Sequence, residues 1–119
     1  MTKYHSRKVV RDGITYDSVK EYQRYCELLL LEKAGAITGL KRQVRFRLIP
    51  AHYETVVDSK TGKKKRTCVD REVSYVADFV YKDKDGTVVV EDVKGYKTPE
   101  YKIKRKLMWY INGIQIKET

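Results

Sequence analysis

The alternation of apolar and polar positions divides the chain into two helices and a run of strands. Residues 1–16 read as a polar arm that closes on Asp12-Gly13, a turn dipeptide. Val19, Tyr22, Cys26, Leu29 and Leu30 then fall at helical spacing and predict an apolar stripe on a helix over residues 18–34. Ser18 suits the cap of that helix, Glu21 the reciprocal third position of a capping box, and Gly35 a left-handed stop. From Gln43 the pattern changes to strict alternation, with Val44, Phe46 and Leu48 inward and Arg45 and Arg47 outward, until Pro50 ends the strand. Residues 52–57 and 66–70 read as the arms of a hairpin around the basic turn DSKTGKKK. Residues 71–82 form another strand, Lys82 to Gly86 a turn, and residues 87–94 a strand broken by Gly95. Thr98-Pro99-Glu100 opens the second helix with a cap, a proline at its first position and an acid in its first turn. Ile103, Leu107 and Tyr110 are expected to face the core, with Lys102, Arg105, Lys106 and Trp109 on the other side. Asn112-Gly113 then turns into a last short strand, Ile114 to Ile116. The resulting order, α-β-(hairpin)-β-β-α-β, predicts an α/β fold.

Two of these strands carry charge where the pattern calls for core. Asp78 stands in the apolar run SYVADFVY, where an acid is expensive to bury without a partner. In VVVEDVKG the chain switches abruptly from three valines to Glu91-Asp92. Side chains alternate along a strand, so Asp92 and Lys94 share a face with Val88 and Val90. Two carboxylates and one ammonium meeting at strand ends can hold a divalent cation and position a water beside it. Glu91 points to the opposite face and reads as a solvated neighbour. A one-residue shift of register would make Glu91 the ligand instead. Glu21 carries two readings that do not exclude each other, a capping residue and an acid that reaches the strands from the helix.

Charge gives this acidic pocket its context. The 119 residues include 26 Lys and Arg against 16 Asp and Glu, a formal net charge of +10. That balance favours nucleic acid, bound through phosphate neutralisation and counterion release. Candidate backbone contacts are Lys60, Lys63, Lys64, Lys65 and Arg66 on the basic turn, and Lys102, Lys104, Arg105 and Lys106 on the second helix; solvated faces are the plain alternative. No helix-turn-helix or finger pattern appears, so shape recognition is expected rather than base reading. Cys26 and Cys68 lie far apart, and neither a disulfide framework nor zinc is indicated; Cys26 reads as a small core residue. His5 and His52 have no metal-ligand spacing and read as surface residues. There is no glycine-rich phosphate loop. The N-terminal sequence lacks an apolar leader and no run approaches a membrane span, so a reducing cytoplasm is the expected setting.

Taken together, Glu21 on a long helix, Asp78 on one strand and Asp92-Val93-Lys94 on the next resemble the PD-(D/E)xK nuclease superfamily. The segments DGITYDSVKEYQRYCELLLLEKAG, QVRFRL, YVADFVY and VVVEDVKGYKTPEYKIKRKLM look more closely like a small phage-associated nuclease family related to Holliday-junction resolvases. Ala77 replaces the proline that usually precedes the first acid, and Asp92 stands where glutamate is commoner. The resemblance implies a restriction-endonuclease-like core with a central mixed sheet flanked by helices. It implies one nuclease domain over residues 1–119, with residues 1–16 as an N-terminal arm and 52–70 as an inserted basic β-hairpin. It further implies that Asp78, Asp92, the Val93 carbonyl and Glu21 hold Mg²⁺ or Mn²⁺, and that Lys94 orients the attacking water. The expected activity is a metal-dependent DNA endonuclease acting on branched or duplex DNA in phage recombination within a bacterial host, with a homodimer as the expected assembly. The alternative is a nucleic-acid-binding module that keeps the fold without catalysis.

Overall fold

Asp12 and Gly13 both adopt left-handed backbone angles, φ 53° and 77°. Two such residues in succession make the turn that matches strand twist. In the computed structural model, which describes residues 7–119, they join β1 (Val9–Arg11) to β2 (Ile14–Tyr16) as a small hairpin. The described part of the expected polar arm is therefore ordered ribbon, and Val9 and Tyr16 are buried. His5 lies outside the described residues.

Helix α1 (Val19–Lys33) is capped by Ser18 and stopped by Gly35, as its sequence predicts. Its buried face differs from the predicted stripe. Glu21 and Leu28 are the buried positions, with Arg24 and Tyr25 half-buried beside them, while Val19, Leu29 and Leu30 are exposed. The helix turns its charged edge to the sheet because Glu21 and Arg24 have partners there. Tyr22 packs edge-on to Tyr16 of the β1–β2 hairpin at 5.1 Å, and Cys26 is half-buried.

A four-stranded sheet follows: β3 (Thr38–Ile49), β6 (Val73–Lys82), β7 (Val88–Asp92) and β8 (Lys117–Glu118), in the order β3-β6-β7-β8. The first two pairings are antiparallel and β7–β8 is parallel, so the sheet is mixed. β3 begins five residues before the alternation is clear, and β8 lies just beyond the predicted Ile114–Ile116 segment, of which Ile116 is buried. Between β3 and β6 the chain leaves the sheet as β4 (His52–Val57) and β5 (Lys64–Asp70), an antiparallel ribbon with every residue from 52 to 70 exposed. The radius of gyration, 19.1 Å, exceeds the roughly 14 Å expected for a compact chain of this length. The ribbon, none of whose residues is buried, contributes to that excess.

Helix α2 (Pro99–Asn112) starts on the Thr98 cap and ends on left-handed Gly113. Tyr101 and Met108 are its buried residues and Leu107 is partly buried. Ile103 (58 %) and Tyr110 (87 %) are exposed, contrary to the predicted core face. The sheet side of the helix is set by Tyr101, whose hydroxyl donates to Glu118 on β8 at 2.7 Å, and this rotates the predicted stripe outward.

The helices pack on opposite faces of the sheet. Leu48, Tyr75, Ala77, Val90, Met108 and Ile116 form the core with α2, and Leu28, Ile37, Phe79 and Tyr81 the core with α1. Ala77 and Phe79 have the same strand parity, so alternation would place them on one face. They pack with different helices. The β3–β6 ribbon therefore turns over between them, at Asp78, and the residue opposite, Gln43, has a left-handed φ of 53°. Among the described residues no helix is long and apolar enough to cross a membrane.

Candidate metal centre

The turnover places Asp78 at the boundary between the two faces, where α1 and the end of β7 also arrive. Its Oδ2 accepts the Val93 N–H at 2.9 Å, and its Oδ1 lies 3.4 Å from the Gln43 side-chain nitrogen. The same nitrogen donates to Glu21 Oε1 at 3.0 Å. Gln43 thus spans the helix acid and the strand acid from a strained backbone position.

Glu21 is 2 % exposed. Its backbone N–H donates to Ser18 Oγ at 3.1 Å, the expected half of a capping box. The other half is shifted by one residue, because Glu21 Oε2 accepts from the Asp17 N–H at 3.0 Å, not from Ser18. The side chain therefore caps the helix and faces the strands at once. Arg42 stacks on Tyr16 and Tyr25 and brings Nη2 to 3.6 Å from Glu21 Oε1. Burial nevertheless pushes the Glu21 carboxyl above its ordinary value, outweighing the bonds that favour its charge.

Asp92 is equally buried, at 2 %. Its Oδ2 accepts the Tyr75 hydroxyl at 2.7 Å and lies 3.1 Å from Lys94 Nζ. Strand β7 ends at Asp92, so Lys94 stands beyond the ladder, yet it reaches the carboxylate that the strand alternation assigns to it. The ammonium also sits 4.2 Å above the Tyr101 ring, which fixes its direction. Burial first, then contact with Asp92, raises the Asp78 carboxyl from 3.8 to about 8. Burial and the same Asp92 charge push the Tyr75 hydroxyl up.

Asp17, Glu21, Asp78, Val93, Lys94 and Tyr96 line one cavity of about 250 Å³ with a second lysine, Lys20, at its rim. Ligand oxygens of Asp17, Glu21 and Asp78 all lie within 4.8 Å of one another. Asp92 stands outside that trio, held by Lys94 and Tyr75. Sequence reasoning missed Asp17 and Gln43. Asp17 precedes the cap by one residue and carries no pattern of its own. Gln43 reads as an outward strand position, and only the turnover brings it to the acids.

Glu91 is not a solvated neighbour. It is fully buried, on the α1 face. Arg24 grips both of its oxygens, at 2.5 and 2.9 Å, Tyr81 donates at 2.7 Å and Thr119 at 3.2 Å. Burial alone would raise this carboxyl, but the Arg24 and Tyr81 bonds hold it below its ordinary value. Glu91 thus faces α1, while Asp92 faces Tyr75 and Lys94 on the other side of the strand.

The expected phosphate contacts divide by position. Lys60 and Lys63 lie at the ribbon tip, Lys64, Lys65 and Arg66 on β5, all exposed. On α2, Lys102 and Lys106 are exposed, whereas Lys104 pairs with Glu100 at 2.9 Å and Arg105 with Glu118 at 3.1 Å. His52 is half-exposed between Glu54 and Asp70 on the ribbon, remote from the cavity residues.

Fold and site define a mixed α/β protein with a partly buried carboxylate cluster and an adjoining lysine at the end of its central strands. A family model for a protein of unknown function, DUF1064, matches residues 1–117, and the chain belongs to that family. No curated protein and no solved structure matches it.

Proposed function

We propose that the chain is a metal-dependent DNA endonuclease with a restriction-endonuclease-like core, as its resemblance to PD-(D/E)xK nucleases implies. The observation that carries this reading is convergence. Glu21 from α1, Asp78 from β6 and Lys94 from the end of β7 line one polar cavity, and Asp92 on β7 adjoins it through Lys94 and Asp78, although the four are spread over seventy-odd residues of sequence. The donor set suits Mg²⁺ or Mn²⁺, since it offers carboxylate oxygens and no sulfur or imidazole. The electrostatics support the same conclusion: an aspartate pushed up to about 8 by burial and by Asp92 beside it is short of positive charge.

Asp78 and Asp92 would hold the cation with Glu21, and Asp17 adds a further oxygen within reach. The Val93 carbonyl belongs to the same implied set. The bound ion would supply Lewis acidity at the scissile phosphate and lower the pKa of a water. The chain's own residues do the rest. Lys94, aimed by Asp92 and the Tyr101 ring, orients the attacking water and offsets charge growing on the phosphate. Tyr75 donates to Asp92 and holds that carboxylate in place. Gln43 fixes the separation of Glu21 and Asp78. The net charge of +10 draws the DNA backbone to this acidic pocket. Branched DNA, such as a four-way junction, is the substrate the resemblance favours.

The test is a cleavage assay on linear, nicked, flap and four-way-junction DNA in Mg²⁺ and in Mn²⁺, with Asp78→Asn and Asp92→Asn beside the wild type. Cutting by the wild type alone supports the reading. Near-normal cutting by either variant removes these residues from the site. DNA binding without cutting or metal uptake by any form leaves a binding module instead.

A further inference from the structure

The β4–β5 ribbon is exposed on both sides, but the two sides differ in charge. Directly paired residues on antiparallel strands project to the same face, and the face alternates at each step. The register pairs Tyr53 with Cys68, Thr55 with Arg66 and Val57 with Lys64. These residues share one face, which carries two cations and no acid. The alternate pairs, Glu54 with Thr67 and Val56 with Lys65, form the opposite face. His52 and Asp70 belong there too, since His52 contacts both Glu54 and Asp70, at 3.7 and 3.6 Å. Both acids of the paired strands therefore lie on that second face. The remaining acid, Asp58, is occupied at the tip, where its Oδ1 accepts the backbone N–H groups of Lys60 and Thr61 at 2.7 and 3.2 Å.

We infer that the Lys64–Arg66 face of this ribbon is a docking surface for the phosphate backbone of duplex DNA, and that the opposite face is not. The inference rests on the nuclease reading for the identity of the polyanion. Charge complementarity carries the choice of face. Shape carries the choice of a duplex, because a two-stranded ribbon fits a major groove about 12 Å wide, with phosphates along both walls. Arg66 lies 4.1 Å above the Tyr53 ring, a cation–π contact that holds the guanidinium on this face. The Thr55 hydroxyl, between Tyr53 and Val57 on the same strand, adds a neutral donor. The ribbon springs directly from β3 and β6, the strands that carry Gln43 and Asp78, so a duplex gripped by it stays tethered to the molecule that holds the acidic cavity.

The experiment measures duplex binding by fluorescence anisotropy in EDTA, over a series of NaCl concentrations. Lys64→Gln/Arg66→Gln is compared with Lys65→Gln/Lys84→Gln, which removes the same charge from the opposite face and from the turn at the far end of β6. Two lost phosphate contacts should lower the log–log salt slope by about 1.8, at ~0.9 per contact, and the second pair should leave the slope unchanged. Equal losses in both double variants would show a net-charge effect and overturn the inference, as would no loss in either. A loss seen with double-stranded RNA or an acidic peptide, but not with duplex DNA, would overturn it as well. Cleavage at low salt by Lys64→Gln/Arg66→Gln separates this outcome from failure of the nuclease reading. If the wild type cuts no DNA, that reading falls while the binding result stands.

Discussion

At the residue scale, Glu21 caps its helix and, in the proposed nuclease, also serves the metal site, two tasks that substitution can separate. Glutamine keeps an oxygen for the Asp17 N–H and mimics the protonated carboxyl that burial favours. Glu21→Gln should therefore cost about 1 kcal/mol of stability or less. It should depress cleavage at least about tenfold, a barrier change of ~1.4 kcal/mol. Ser18→Ala should do the reverse, losing about 1 kcal/mol with activity kept at low temperature. Thermal melts and single-turnover rates on both variants check the pair, and full activity in Glu21→Gln would leave it a cap alone. Asp78 gives a signature in pH. Its folded pKa, about 8, lies above its ordinary 3.8, so its stabilising contribution is complete at low pH and is lost as pH rises through about 8. Without divalent cation, Asp78→Asn should melt near the wild type at pH 4 and above it beyond pH 8, and added Mg²⁺ should close that gap. A constant difference across pH would contradict the crowding. The contact between Asp92 and Lys94 was legible in the sequence because strand alternation is a local rule, and Asp78 stood out as an acid inside an apolar run. Asp17 and Gln43 were not legible, because their role depends on contacts made across 22 to 61 positions.

At the scale of elements, the clamp between α1 and β7 is the feature the sequence disguised. Glu91 looked solvated because its neighbour Asp92 took the inward parity. Both faces of this sheet are covered, so both parities are buried. Arg24 and Tyr81 sit far away in sequence and gave no sign of the pairing. The Glu91 pKa lies below its ordinary 4.5, so its contribution is present above that value and is lost as pH falls through the folded pKa. Melting temperatures of wild type and Glu91→Gln should diverge above about pH 5 and converge in acid. Arg24→Met strands a buried carboxylate and should cost about 3–5 kcal/mol. Urea unfolding at neutral pH measures it, and a loss below 1 kcal/mol would show that Glu91 is served by Tyr81 and Thr119 alone. The helices were misread in a consistent way. Their termini follow from caps and glycines, which act within a few residues. Their inward faces follow from Glu21, Arg24 and Tyr101, whose partners lie on strands.

At the scale of the molecule, the mixed α/β class and the element order from α1 onward were legible from periodicity, whereas the β1–β2 hairpin and the turnover of the β3–β6 ribbon were not. Alternation predicts one buried parity along each strand. The switch at Gln43 and Asp78 needs a left-handed backbone that glutamine seldom adopts. Because the ribbon over residues 52–70 buries none of its residues, replacing it by a short turn should leave the melting temperature of the remaining domain within a few degrees. Duplex affinity should fall and lose part of its salt dependence. A large drop in stability would mean that the ribbon supports the sheet.

A two-stranded ribbon without a core is marginal in water by itself. Its amides should consequently exchange with deuterium in a gradient, fastest around Lys63 and slower toward the root at Val73, while Phe79 and Val90 at 0 % exposure exchange only when the whole molecule opens. The chain would then melt from the tip of this arm inward. The arm's slowing on any bound partner would be readable residue by residue, against a core that serves as an internal clock.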